Sequence, residues 1–134
     1  MKKYTDPIQT DTYYHIFNRG INGETLYKEE KNYHYFLKKF EQHLTPIVDT
    51  YAYCLLGNHF HMLIRTKSEE ELIQFHKSKN DTSHIEPNKI ISKQFATLFK
   101  TYTLAINKAF LRTGGLFETP FRRIPITNDA YFTV

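Results

Sequence analysis

The sequence predicts an α+β domain on three observations. Short aromatic and β-branched runs read as strands, two longer segments show helical apolar spacing, and the two kinds do not alternate strictly as strand–helix–strand. The first strand is Tyr13 to Asn18 (YYHIFN), stopping at Arg19-Gly20. Asn18, Arg19 and Gly20 are expected to form the turn, with Gly20 supplying a positive φ, and the chain to Leu26 reads as a loop. From about Lys28 to Leu44, Tyr33, Phe36, Leu37, Phe40 and Leu44 fall on one helical stripe, which Pro46 ends. Lys31, Lys38, Lys39 and Glu41 are left for the wet face.

Ile47 to Leu55 and Phe60 to Arg65 are apolar runs joined through Leu56-Gly57-Asn58, a hairpin signal. Ser68-x-x-Glu71 is a capping box that opens a short helix through Phe75. Residues 77–89 (KSKNDTSHIEPNK) have almost no apolar content and read as a mobile loop within the domain. Ile91, Phe95, Leu98, Phe99, Tyr102 and Ile106 define a second long helix, running to Arg112 and stopped by Gly114-Gly115. Leu116 to Ile126 is extended and basic, and Pro120 and Pro125 mark it as an edge strand or arm. Asn128 or Asp129 is placed to cap a last helix, of which about one turn is present in the sequence.

A length of 134 residues suits one core, so residues 1–134 are read as one domain. Hydrophobic residues at 40% and charged residues at 24% exclude a disordered chain. With 18 Lys plus Arg against 14 Asp plus Glu, the net charge is +4, a mild bias that a phosphate-bearing partner would suit and that a basic enzyme would share. Cys54 is the one cysteine, so an internal disulfide and a cysteine-rich zinc site are both excluded, and the residue is expected to be buried as a small apolar side chain. No apolar stretch approaches the ~18 residues of a membrane span and no secretory leader is visible, which points to a cytoplasmic protein without a membrane partner.

His59-Phe60-His61 is the sharpest chemical feature. On a strand, positions i and i+2 share a face, so two imidazoles stand side by side while Phe60, Met62 and Ile64 point to the core. On a helix they would diverge by about 200° and could not share an ion. Seven histidines give roughly 0.4 such tripeptides per chain by chance, so the pattern alone leaves open two solvent-facing histidines on a half-exposed sheet. His15 belongs to another strand of the expected sheet and reads as a packed strand histidine; Tyr13, Tyr14, Tyr51 and Tyr53 read as structural. Arg112, Arg122, Arg123, Lys100 and Lys108, near Phe121 and Tyr102, are candidates for a groove that pairs phosphates and stacks bases.

Three blocks in order, YHIFNRG (Tyr14 to Gly20), YAYCLLGNHFHMLI (Tyr51 to Ile64) and GGLFETPFRR (Gly114 to Arg123), resemble the REP-associated tyrosine transposases, single-tyrosine HUH transposases of insertion sequences. The resemblance implies a ferredoxin-like antiparallel sheet with helices packed on it. It also implies single-stranded or hairpin DNA as substrate, and a divalent cation, Mg²⁺ or Mn²⁺, held with the help of His59 and His61. Tyrosine attack on a phosphodiester would leave a 5′-phosphotyrosine and a free 3′-OH. Arg19, Arg112, Phe121, Arg122 and Arg123 are the residues expected to meet DNA, and a homodimer is possible.

The family's nucleophile lies in a Tyr-Ile-x-x-Asn-Pro-like stretch, about two turns beyond an Asp-x-Tyr that matches Asp129-Ala130-Tyr131. That stretch is absent from the 134 residues, as is the third metal ligand one turn after it. Tyr131 is thus a weak catalytic candidate. The expectation is a transposase-like chain cut short that does not cleave, with a non-cleaving DNA-binding remnant and a metal-dependent hydrolase as alternative functions.

Overall fold

The computed structural model describes residues 4–80 and 83–127. Seven main elements follow in chain order: β1 (Tyr13–Arg19), α1 (Glu30–Leu44), β2 (Val48–Leu56), β3 (His59–Thr66), α2 (Glu69–Ser78), α3 (Pro87–Phe110) and β4 (Arg122–Pro125). The strands form one antiparallel sheet in the order β2-β3-β1-β4. Both helical crossovers therefore pass over a strand, which is the split arrangement of a ferredoxin-like α+β fold.

Alternation along the strands decides what the helices cover. In β3, Phe60, Met62, Ile64 and Thr66 are buried, whereas His59, His61, Leu63 and Arg65 are only half-buried. Tyr14 and Ile16 of β1 join the buried set. Against this face pack Phe36, Phe40 and Leu44 of α1 and Ile91, Phe95, Leu98 and Tyr102 of α3, all buried. Phe60 has ring neighbours at 5.4 Å (Phe36), 5.9 Å (Phe99) and 6.2 Å (Phe117), and such tilted and edge-on contacts add to the area term. The Tyr102 hydroxyl donates to the Leu26 carbonyl at 2.6 Å, tying the loop after β1 to α3.

Local signals explain most boundaries. Ser68 and Glu71 form the expected reciprocal cap of α2. The β2–β3 turn is docked from outside, because the Leu26 and Tyr27 amides donate to the Gly57 carbonyl and the Gly20 amide donates to that of Asn58.

Five details differ from the sequence reading. The weakly apolar stretch is not one loop: Lys77 and Ser78 close α2, and Pro87, Asn88 and Lys89 open α3, because first and last helical turns need no apolar face when solvent lies beside them. Helix α3 ends at Phe110 rather than Arg112. Leu111 takes the left-handed cap conformation (φ 53°), and the Arg112 guanidinium holds the next turn by donating to Glu24, Asn107 and the Gly114 and Gly115 carbonyls. Gly20 has φ −69°, and the positive angles fall at Asn22 and Gly23 instead. Its need for no side chain is steric, since a Cβ would lie 2.0 Å from the Glu24 carbonyl oxygen. Within Leu116 to Ile126 only Arg122–Pro125 is strand, paired to β1 at the sheet's edge. Cys54 is exposed, because the register shift between Thr50 and Ala52 sets it opposite His61 on the uncovered face. The proposed cap at Asn128 or Asp129, and Tyr131, lie outside the described residues.

Candidate functional site

The sheet face away from α1 and α3 gathers most of the polar chemistry. Residues Tyr13, His15, Phe17 and Arg19 of β1 share this face with His59, His61, Leu63 and Arg65 of β3 by the period-two rule. In the register, His61 lies opposite Phe17 on one side and Cys54 on the other, and His59 lies opposite Arg19 and Leu56. Arg122 of β4 lies opposite Phe17 from the other edge. A cleft of about 500 Å³ opens there, lined by Tyr4, Phe17, Asn18, Arg19, Asn58, His59, Phe60, His61 and Arg122.

The two histidines are held by different partners. The ring centroids of His59 and His61 are 5.3 Å apart with planes at 89°. His59 Nδ1 donates to Asn58 Oδ1 at 2.8 Å, which leaves Nε2 with its lone pair. His61 Nδ1 lies 2.8 Å from His15 Nε2 in a hydrogen bond that needs one donor. With His61 as donor, its Nε2 also keeps a lone pair, so both rings present the same nitrogen. Burial holds the His15 and His61 imidazoles below the ordinary histidine value, with repulsion from His61 adding to it at His15 and repulsion from His59 at His61. Both are therefore neutral at pH 7, the form that ligates metals.

The arginines are anchored by one carboxylate. Arg19 Nε donates to Glu118 Oε1 at 2.9 Å, and Arg122 Nη1 reaches the same oxygen at 2.6 Å. These bonds, Arg19's first, hold the Glu118 carboxyl below the usual carboxylate range. Asn18, buried at the end of β1, accepts from the Arg19 amide at 2.9 Å and donates to the Glu118 carbonyl at 2.9 Å, joining β1 to the segment before β4. Both guanidiniums keep donors to spare, and the Arg19 side chain is 62% exposed.

Of the residues picked out in the sequence, the fold brings His59, His61, Arg19 and Arg122 to this cleft and sends six others elsewhere. Arg123 is buried on the helix side of β4, its guanidinium 4.3 Å from the Phe121 ring centre and bonded to the Asp6 and Phe121 carbonyls. Phe121 stacks on Phe95 of α3 at 4.7 Å. Arg112 pairs with Glu24 beyond the end of α3, its side chain 14% exposed. Lys100 and Lys108 lie exposed on α3, and Tyr102 is in the core. His15 touches His61 directly.

Sequence reasoning passed over Tyr4, Phe17, Asn58 and Glu118. The alternation applied to β3 would have put Phe17 on the same face as His15 and Arg19. Nothing in the sequence marks Tyr4 or Glu118, which reach the cleft through tertiary contacts: the Arg123 amide donates to the Tyr4 carbonyl at 2.7 Å, fastening the N-terminal segment along β4.

As a metal site the cleft offers two imidazole nitrogens. Among the described residues no group of three or more His, Cys, Asp or Glu side chains is arranged to hold an ion. Two outward lone pairs with both Nδ1 atoms engaged fit a cation that takes its other ligands from water or from phosphate oxygens. Nor is any helix of the described residues long and apolar enough to cross a membrane.

Comparison with solved structures finds similarity to a REP-associated tyrosine transposase bound to a REP hairpin. It extends over 99% of this chain and 67% of that chain, with a TM-score of 0.61 and 12% sequence identity. At that identity the likeness is one of fold. No protein-family model matches the sequence, and no curated protein matches it.

Proposed function

We propose that the chain binds hairpin or single-stranded DNA on the open face of its sheet and grips a phosphodiester beside His59 and His61, a transposase-like role. The observation that carries this reading is the convergence, in one uncovered cleft, of two imidazoles and two arginines from three different strands. The fold likeness to a transposase with a bound hairpin supports it.

Arg19 and Arg122 pair with backbone phosphates through the guanidinium donors that Glu118 leaves available. Glu118 keeps both side chains extended toward the cleft, so less side-chain freedom is lost when DNA arrives. His59 and His61 hold a divalent cation through Nε2, with Asn58 and His15 fixing the rings from behind. Mn²⁺ suits this donor set better than Mg²⁺, which sheds water reluctantly and favours carboxylate oxygen. When bound, the cation withdraws charge from the phosphoryl oxygens and so readies the phosphorus for attack. Cleavage is not expected of this chain, in which Tyr131 is only a weak candidate for tyrosine attack.

The test uses a fluorescent hairpin oligonucleotide with unpaired flanks, titrated by anisotropy at two salt concentrations, with and without Mn²⁺. Binding should weaken as salt rises, and replacing Arg19 and Arg122 together by Ala should lower the logarithmic salt slope by about 2. Calorimetric titration with Mn²⁺ alone should give heat that His59→Ala plus His61→Ala abolishes. Salt-independent affinity, or the same heat from both proteins, refutes the phosphate grip or the metal pair respectively. A covalent adduct on a denaturing gel in Mn²⁺, lost in Tyr131→Phe, would make that residue the nucleophile.

A further inference from the structure

On a sheet with one uncovered face, the open positions of the interior strands usually carry polar or small side chains. Phe17 breaks that expectation. It sits on β1, an interior strand, flanked in register by His61 and Arg122, and it is only half-buried although its face receives no described helix. The neighbours of its ring are themselves rings: His15 at 5.0 Å, His61 at 5.8 Å with planes 19° apart, and Tyr4 edge-on at 6.0 Å. None of these contacts belongs to the core that stabilises the fold, which lies through the sheet around Phe36 and Phe60.

Resting on the DNA-binding reading above, we propose that Phe17 is a stacking platform for one unpaired base, bordered by Tyr4. Charge complementarity selects the occupant. Arg19 lies two residues along the same strand, about 7 Å away, and Arg122 lies on the neighbouring strand, about 5 Å away, so an aromatic surface is bracketed by cations at a spacing one nucleotide can bridge. A phosphate on either arginine sets its base over Phe17. Peptides lack the phosphodiester anion and lipid headgroups lack the flat π-surface, whereas a single strand repeats both at each nucleotide. Duplex DNA keeps its bases stacked inside and cannot use the platform.

The experiment titrates the intact chain with the same hairpin oligonucleotide and with variants carrying one abasic site at each unpaired position in turn. One abasic position should weaken binding about tenfold, as loss of a stacked base does. Phe17→Leu should weaken binding to the intact oligonucleotide by the same factor, leave the salt slope unchanged, and make the protein indifferent to that abasic site. Phe17→Tyr should bind like the native chain. In case Phe17→Leu fails to fold, 2-aminopurine at the sensitive position, whose fluorescence drops on stacking, reads the contact in the native protein.

Native binding by Phe17→Leu, equal effects of every abasic site, or unquenched 2-aminopurine would each overturn the platform while leaving the phosphate grip standing. Failure of the native chain to bind any of these DNAs would instead overturn the DNA-binding reading, and the platform with it.

Discussion

The two faces of this sheet are made by the same strands and differ in almost everything else. Along β3 the helix-covered positions read Phe60, Met62, Ile64 and the uncovered ones His59, His61, Leu63, Arg65. Along β1 they read Tyr14, Ile16, Asn18 against His15, Phe17, Arg19. The covered face uses nearly all its residues for packing. Where it includes polar groups, their bonds are internal: the Tyr102 hydroxyl to the Leu26 carbonyl, the Asn18 amide to Glu118, the Arg123 guanidinium to Asp6 and Phe121. The uncovered face instead keeps lone pairs and N–H groups directed to solvent. Basic residues adjacent in sequence thus have opposite fates: Arg122 opens to the cleft while Arg123 is folded under the sheet.

Substitutions that separate stability from binding test this division most strongly. Phe60→Ala should cost about 3–5 kcal/mol, since it empties a site lined by three aromatic residues and the surroundings close only in part. His59→Ala on the facing side of the same strand should shift stability by no more than about 0.5 kcal/mol. Thermal or urea unfolding of the two variants measures the contrast, and equal losses would mean the faces are not energetically distinct.

Arg112 sharpens the same comparison among the arginines. Its guanidinium meets the Glu24 carboxylate through two nitrogens and caps the turn after α3, and that bond holds the Glu24 carboxyl below its ordinary range. Arg112→Ala should destabilise the protein by roughly 1.5–3 kcal/mol, the range for hydrogen bonds to charged groups, yet leave the salt slope of DNA binding unaltered. A slope reduced by about 1 would put Arg112 in the DNA interface after all.

The smallest effect concerns pH. His15 and His61 titrate below the ordinary histidine value in the folded protein, chiefly because burial disfavours the imidazolium. Between that lowered value and about 6.5 the unfolded chain binds more protons than the folded one, so stability rises with pH through this window. It is full above 6.5, falls as the pH drops, and levels off below the folded value. Unfolding midpoints at pH 5, 6 and 7.5 should follow this order, and His15→Phe should flatten the dependence. Mn²⁺ affinity should fall over the same range, since a protonated imidazole has no lone pair to give.

How much of this was legible beforehand depended on the range of the interactions involved. Period and capping are local: the stripe Phe36, Phe40, Leu44, the Ser68–Glu71 cap, and the same-face pairing of His59 and His61 all follow from neighbours within a few residues. The α+β class follows from those elements, because each must bury one face. Edge strand β4 was legible only in outline, since a four-residue strand depends on its partner more than on its own pattern.

The sequence by itself determined the elements, the inward and outward alternation of β3, and the histidine pair. Tertiary structure decided which strand lies beside which, and so which residues share the cleft. Arg19 meets Glu118 across 99 positions of chain, His15 meets His61 across 46, and Tyr4 reaches Phe17 only because the N-terminal segment is fastened along β4. It also decided against Arg112, Phe121 and Arg123 as lining residues of that cleft. A basic or aromatic side chain carries no local mark of the face it will occupy when its strand is short and its pairing is made by distant residues. Burial and charge pairing settle the matter only once the sheet has formed.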